Sequence, residues 1–82
     1  MYRIVPDPAI AEQVAALPDE ALLDFAEVLS ALEVSPWSGE PQHEGNPDGA
    51  VRRWAFGRGM AGDVVYLIID REVHLLMVQW LG

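Results

Sequence analysis

Apolar positions fall into two regimes along the chain. Between Ile10 and Leu32 they recur at helical spacing, and from Ala50 onward they alternate or run together as in strands. Before the first regime, Tyr2-Arg3-Ile4-Val5 is a short β-prone run, closed by Pro6-Asp7-Pro8 because proline fixes φ and has no amide to donate. Asp7 can cap a helix whose first position is Pro8. Ile10, Val14 and Leu17, at i, i+4 and i+7, then predict a first amphipathic helix that Pro18 interrupts. Asp19 and Glu20 suit the positive N-terminal end of a second helix. Leu22, Phe25, Ala26, Leu29 and Leu32 predict its buried stripe, and Glu20, Asp24 and Glu27 its solvated side.

Residues 35–49, SPWSGEPQHEGNPDG, hold three prolines and three glycines, which exclude a helix or a central strand and predict a structured loop or a lid. Beyond it the spacing predicts strands over Ala50–Phe56, Asp63–Asp70 and Val73–Leu81, separated by a glycine-rich link and by the tight turn Asp70-Arg71-Glu72. The expectation is an α+β fold: strand, helix, helix, then a three-strand antiparallel meander, with the helices packed on one face of the sheet. Alternation sends Val64, Tyr66 and Ile68 to one face and Val65, Leu67 and Ile69 to the other. In the last strand it sets His74, Leu76, Val78 and Trp80 against Val73, Leu75, Met77 and Leu81. Both faces are apolar, and two short helices cover only one. The second face is therefore expected to meet the long loop, a second copy or a partner.

With 82 residues, 51% of them hydrophobic, the chain suits one folded domain over 1–82. No apolar run approaches the ~20 residues of a membrane span, and the start lacks the apolar stretch of a signal peptide, so the expectation is a cytoplasmic protein without membrane contact. Zero cysteines exclude disulfides, zinc-thiolate sites and a cysteine nucleophile. Thirteen acids against five arginines give a net charge of −8, a field that repels phosphate polyanions. The charge is segregated. Residues 1–48 hold ten acids and one arginine, net −9; residues 49–82 hold three acids and four arginines, net +1.

Three stretches carry a family likeness: YRIVPDP as the opening strand and helix start, ALLDFAEVLSALEVSPWSG as the second helix with its proline-aromatic-glycine exit, and DVVYLIIDREVHLLMVQWL as the closing hairpin. Together they span nearly the whole chain, which resembles the RelE/ParE toxin superfamily of bacterial toxin–antitoxin modules. The resemblance implies a cognate antitoxin as partner. In members that cleave messenger RNA on the ribosome it implies arginines or lysines on the scissile phosphate, an acid–base group and often a C-terminal His or Tyr. Here the position just before VVYLI, commonly arginine in the family, is Asp63, and the C-terminal end offers Gln79, Trp80, Leu81 and Gly82. The resemblance thus implies a degenerate active site.

In-line cleavage of RNA needs a base, cations for the phosphorane and an acid for the leaving oxygen. Arg52, Arg53, Arg58 and His74 are the candidates for such a centre, with Arg71 a further cation and His43 or Glu44 further proton carriers. Alternation places Arg52 with Trp54 and Phe56 on one face and Arg53 on the other, so the adjacent pair does not clamp one phosphate without a bulge. His43 and Glu44, two ligands on one segment, do not define a metal site. GRGMAG lacks the spacing and lysine of a phosphate-binding loop, and no cofactor is expected. The leading expectation is protein–protein binding through Trp54, Tyr66, His74, Leu76, Val78 and Trp80, to an antitoxin or in a homodimer, with ribonuclease activity lost or weak. Its rivals are an active ribosome-dependent endoribonuclease and a small-ligand-binding or scaffold protein that reuses the fold.

Overall fold

The first and last strands lie side by side. In the computed structural model, which describes residues 1–43, 45, 46 and 48–81, β1 (Arg3–Val5) pairs in parallel with β5 (Glu72–Trp80), with Ile4 opposite Val73. β5 pairs antiparallel with β4 (Gly62–Ile69), β4 with β3 (Val51–Phe56), and β3 with a two-residue edge strand, β2 (Glu40–Pro41). The sheet order is β1-β5-β4-β3-β2. α1 (Pro8–Ala15) and α2 (Asp19–Val34) cover one face. The expected α+β order and meander are present; the edge strand cut from the long loop is an addition.

Local chemistry sets the helix starts. The Asp7 carboxylate accepts from the Ile10 amide at 2.9 Å, and Pro8 takes the first helical turn, where its missing amide costs nothing. Pro18 ends the α1 connection and precedes α2, whose first turn carries Asp19 and Glu20 toward the positive end of the helix dipole. α2 is rotated from the expected stripe. Its buried residues are Ala21, Phe25, Val28 and Leu32, whereas Leu22 and Ala26 are exposed and Leu29 is half-buried. Val28 and Ala21 complete an i, i+4, i+7, i+11 row with Phe25 and Leu32, the geometry of a single straight face.

The core lies between this row, Ile10 and Leu17 on one side and Val64, Tyr66, Ile68, Val73, Leu75 and Val78 on the other. The β4 alternation holds as expected, but β5 does not keep one parity. Val65 pairs with Met77 and Tyr66 with Leu75, leaving Leu76 as an extra residue in a β-bulge. Past the bulge the alternation reverses. Val73, Leu75, Val78 and Trp80 therefore face the helices, while His74, Met77 and Gln79 face away, and exposed Leu76 belongs to neither row. The expected grouping of His74 and Leu76 with Val78 and Trp80 is corrected by this one inserted residue. Beyond the end of β1, the Val78 amide finds its partner in the Gln13 side-chain oxygen of α1 at 2.6 Å, so the exposed edge of β5 is sealed by a helix.

Leu32 is fully buried and Leu23 lies 73% exposed on the opposite side of the same helix. Leu32→Ala is expected to cost about 2–5 kcal/mol in urea unfolding, and Leu23→Ala less than about 0.5 kcal/mol. Equal losses would show that α2 is rotated otherwise.

Candidate functional site

Arg52 sits opposite Tyr66 on the helix side of the sheet. The loop closes over this pair. Arg52 is 8% exposed, and its guanidinium donates to three carbonyls: Gly49 at 3.1 Å, Trp37 at 3.2 Å and Gly39 at 2.9 Å. It also stacks over the Trp37 ring, 5.0 Å from the centroid. The Tyr66 hydroxyl donates to the Pro36 carbonyl at 2.8 Å. Gly39 passes so close that a Cβ there would collide with the Tyr66 hydroxyl. Its backbone is extended (φ −68°), so glycine is required here by space and not by a left-handed turn. Burial is the main cause that pushes the Tyr66 phenol up to about 12, opposed by the Arg52 charge and a backbone hydrogen bond with Gly39. The segment SPWSGEP thus becomes a lid on the helix-side core, built from the 3₁₀ turn Pro36–Ser38 and β2. Of the three covers expected for the opposite face, the loop is ruled out, since the partners it engages are Arg52 and Tyr66 on the helix side.

That opposite face is mixed in character. Val65 is buried, Leu67 and Met77 are half-buried, and around them stand Arg53, Asp63, His74 and Gln79. Arg53 Nε lies 3.7 Å from one Asp63 carboxylate oxygen, while the other oxygen is buried without a hydrogen-bond partner. At its β1 end Glu72 is hydrogen-bonded by Arg3 and lies 3.0 Å from His74 Nε2. The hydrogen bond from Arg3, and then that with His74, hold the Glu72 carboxyl below the usual range.

The four candidate catalytic residues do not converge. Arg53 and His74 share the open face, but Arg53 pairs across from Val65 on β3 and His74 across from Leu67 on the far side of β4. Arg52 is on the helix side, held by carbonyls. Arg58 lies past the end of β3, in the 3₁₀ turn Arg58–Met60. The candidate partner-binding residues divide as well: Tyr66 and Val78 are core, while Trp54 and Trp80 are half-buried on the helix side. His74 is half-buried on the open face, and only Leu76 is largely exposed. Arg71 lies over the Tyr2 ring at 5.5 Å. Glu44 falls outside the described residues, and among the described residues no group of three or more His, Asp or Glu side chains could hold a metal ion.

Sequence reasoning missed a groove between α2 and the end of β3. A hollow of about 620 Å³ is lined by Asp24, Glu27, Val28, Trp54, Phe56 and Met60, among others. A second, of about 400 Å³, shares Asp24 and Arg58 with it and adds Glu20 and Trp80. An aromatic ladder supports the floor, Phe25 to Phe56 at 5.6 Å and Phe56 to Trp80 at 6.2 Å between centroids. Gly57 (φ +84°) lets Trp80 lie against the backbone, where a Cβ would come within 2.8 Å of the ring. Glu20, Asp24 and Glu27 stand at i, i+4 and i+7 along α2. Each like-charge neighbour pair costs a helix about 0.2–0.5 kcal/mol, and no ion pair among the described residues engages these three. The signal was their helical spacing opposite Trp54 and Trp80, visible only once β3 is known to lie beside α2.

The five-stranded sheet with two helices on one face defines an α+β fold of the RelE type. The crystal structure of the isolated E. coli RelE toxin, in its P21 form, superposes with a TM-score of 0.80 over 100% of this chain and 86% of that one, at 15% sequence identity. No protein-family model matches the chain, and no curated protein matches it in sequence. No helix among the described residues is long and apolar enough to cross a membrane.

Two variants test the clamp. Arg52→Ala leaves three carbonyls, that of Gly39 buried and those of Trp37 and Gly49 part-buried, without their donor and is expected to cost at least about 2 kcal/mol in chemical unfolding, whereas the more exposed Arg53→Ala costs less than about 1 kcal/mol. The Tyr66 phenol, raised in the fold, contributes stability that is fully present below its unfolded value of 10.0 and is lost as pH rises through about 12. An alkaline titration followed by phenolate absorbance should show Tyr66 ionising only as the protein unfolds, and Tyr66→Phe should remove that alkaline loss of stability.

Proposed function

We propose that this RelE-like chain acts by protein–protein binding, to a cognate antitoxin-like protein or to a second copy of itself, with ribonuclease activity lost or much reduced. The observation that carries the reading is the Arg52 clamp. The most deeply placed cation of the arginine-rich strand is committed to three loop carbonyls and an indole, so it is not available to a phosphate. Asp63 supports the same reading, because it sets a carboxylate beside Arg53 on the open face and lowers the local positive potential that a scissile phosphate needs. At the end of β5, Gln79 and Trp80 supply neither a general acid nor a general base.

The endoribonuclease reading has one observation in its favour, the Glu72–His74 pair at 3.0 Å on the open face, an arrangement able to orient an imidazole. Expression of the chain alone separates the two. Binding without cleavage predicts little growth arrest, intact ribosome-bound messages, and an affinity for generic RNA no tighter than about 10⁻⁴ M at physiological salt. Growth arrest with message cleavage, relieved by His74→Ala in a protein shown to stay folded, would hand the function to the enzyme. Sedimentation of the purified chain distinguishes a second copy from a foreign partner: a concentration-dependent dimer supports the former, a monomer the latter.

A further inference from the structure

We propose that the groove between α2 and the end of β3 is a docking site for a basic, amphipathic segment of a partner protein. The inference rests on the protein-binding reading above and names the surface and the chemistry of the partner. The groove is apolar on its floor and on one wall, with Val28, Phe56 and the flank of Trp54 beneath its mouth. At that mouth Met60 is 70% exposed and is held at φ +57°, a left-handed conformation that a non-glycine residue adopts only under constraint from its surroundings. A large flexible thioether displayed there offers an adaptable apolar contact to whatever enters.

Charge selects the occupant. The α2 wall presents Glu20, Asp24 and Glu27 in one row, about 10 Å long at the helical rise. These carboxylates repel one another and have no cation paired with them among the described residues. A nucleic acid or an acidic peptide entering here meets that repulsion within a chain already at −8. A second copy, itself at −8, meets the same net repulsion. A segment with lysines or arginines at matching two-turn spacing and apolar side chains between them relieves the repulsion and covers Trp54 and Met60. Arg58, on the opposite wall, pairs with one carboxylate or backbone carbonyl of the segment and gives it a direction. The far face of the sheet lacks this complementarity, because its ionic groups are already paired as Arg53 with Asp63 and as Arg3 and His74 with Glu72.

The probe is a fluorescein-labelled synthetic helix with a leucine–alanine face and lysines at i, i+4 and i+7, set against a control in which glutamates replace the lysines. Anisotropy with the full chain is expected to give a dissociation constant on the order of micromolar for the lysine helix, weakening as salt is raised, and no measurable binding for the glutamate helix. The double variant Asp24→Lys, Glu27→Lys should weaken the lysine helix by at least about tenfold, with thermal unfolding not lowered, because neither side chain is in the core and the change at Asp24 removes the repulsion from Glu20. Met60→Ser, a second and milder variant, should weaken it without altering the salt dependence. Amide chemical shifts should move along Asp24–Ala31 and Trp54–Met60. Equal binding of the two helices, no binding at all, or unchanged affinity in the double variant overturns the groove assignment. Shifts centred on Val65, Leu67 and Met77 also overturn it while leaving protein binding intact as the function. Message cleavage by the isolated chain, in contrast, removes the reading on which the proposal rests.

Discussion

A single buried guanidinium holds the loop after α2 against the helix side of the sheet. α1 packs on β5 and α2 on β3 and β1, Tyr66 lies in the core they share, and at the Arg52 end of the sheet the loop takes over. Without another layer, that end would leave an ionisable and a phenolic group at the rim of an apolar core. The loop after α2 supplies the layer, and Arg52 holds it by exchanging water for three carbonyls and the face of Trp37. A buried cation is tolerable only when its donors are used. Here a proline- and glycine-rich segment, poor in regular backbone pairing of its own, has carbonyls to spare. The segment is ordered because the arginine needs acceptors, and the arginine is buried because the segment provides them.

Much of the architecture was legible because it depends on local periodicity. Ile10 and Val14 mark α1, with Leu17 buried just past its end, Asp7-Pro8 marks its start, and the run from Val64 to Ile69 alternates as a half-buried strand does. Three features resisted for separate physical reasons. Val28 and Leu29 are adjacent apolar residues of similar size on α2, and neither periodicity nor propensity decides which one faces in; the position of β3 beside the helix decides it. The bulge at Leu76 leaves no mark on a strand in which every neighbour is apolar, yet it reassigns each side chain beyond it. Arg52 and Arg53 look alike in sequence and differ wholly in environment. What separates them is the pairing of Arg52 with Tyr66, set by a register that runs through the whole meander.

The candidate site was legible only in part, for the same reason. The aromatic residues were recognisable as contact-makers, but which face the helices take was not readable from the alternation, and in β5 the bulge also reversed the parity of Trp80. Tyr66 and Val78 were drawn into the core, and Trp54 and Trp80 were turned to the helix side. There they meet an acidic helix face that, taken by itself, is an ordinary solvated surface. A groove arises from two such ordinary surfaces brought together by topology.

The parallel pairing of β1 with β5 joins residues 3–5 to residues 72–74. This closure has a consequence for the order in which the chain can fold. The β4–β5 hairpin is made of close neighbours and can form as soon as both strands exist, whereas β1 has no strand to pair with until then. In order of synthesis the strand that β1 pairs with, β5, comes after every other strand of the sheet. A truncation that removes β5 leaves β1 without its pairing strand and takes Val73, Leu75 and Val78 out of the core.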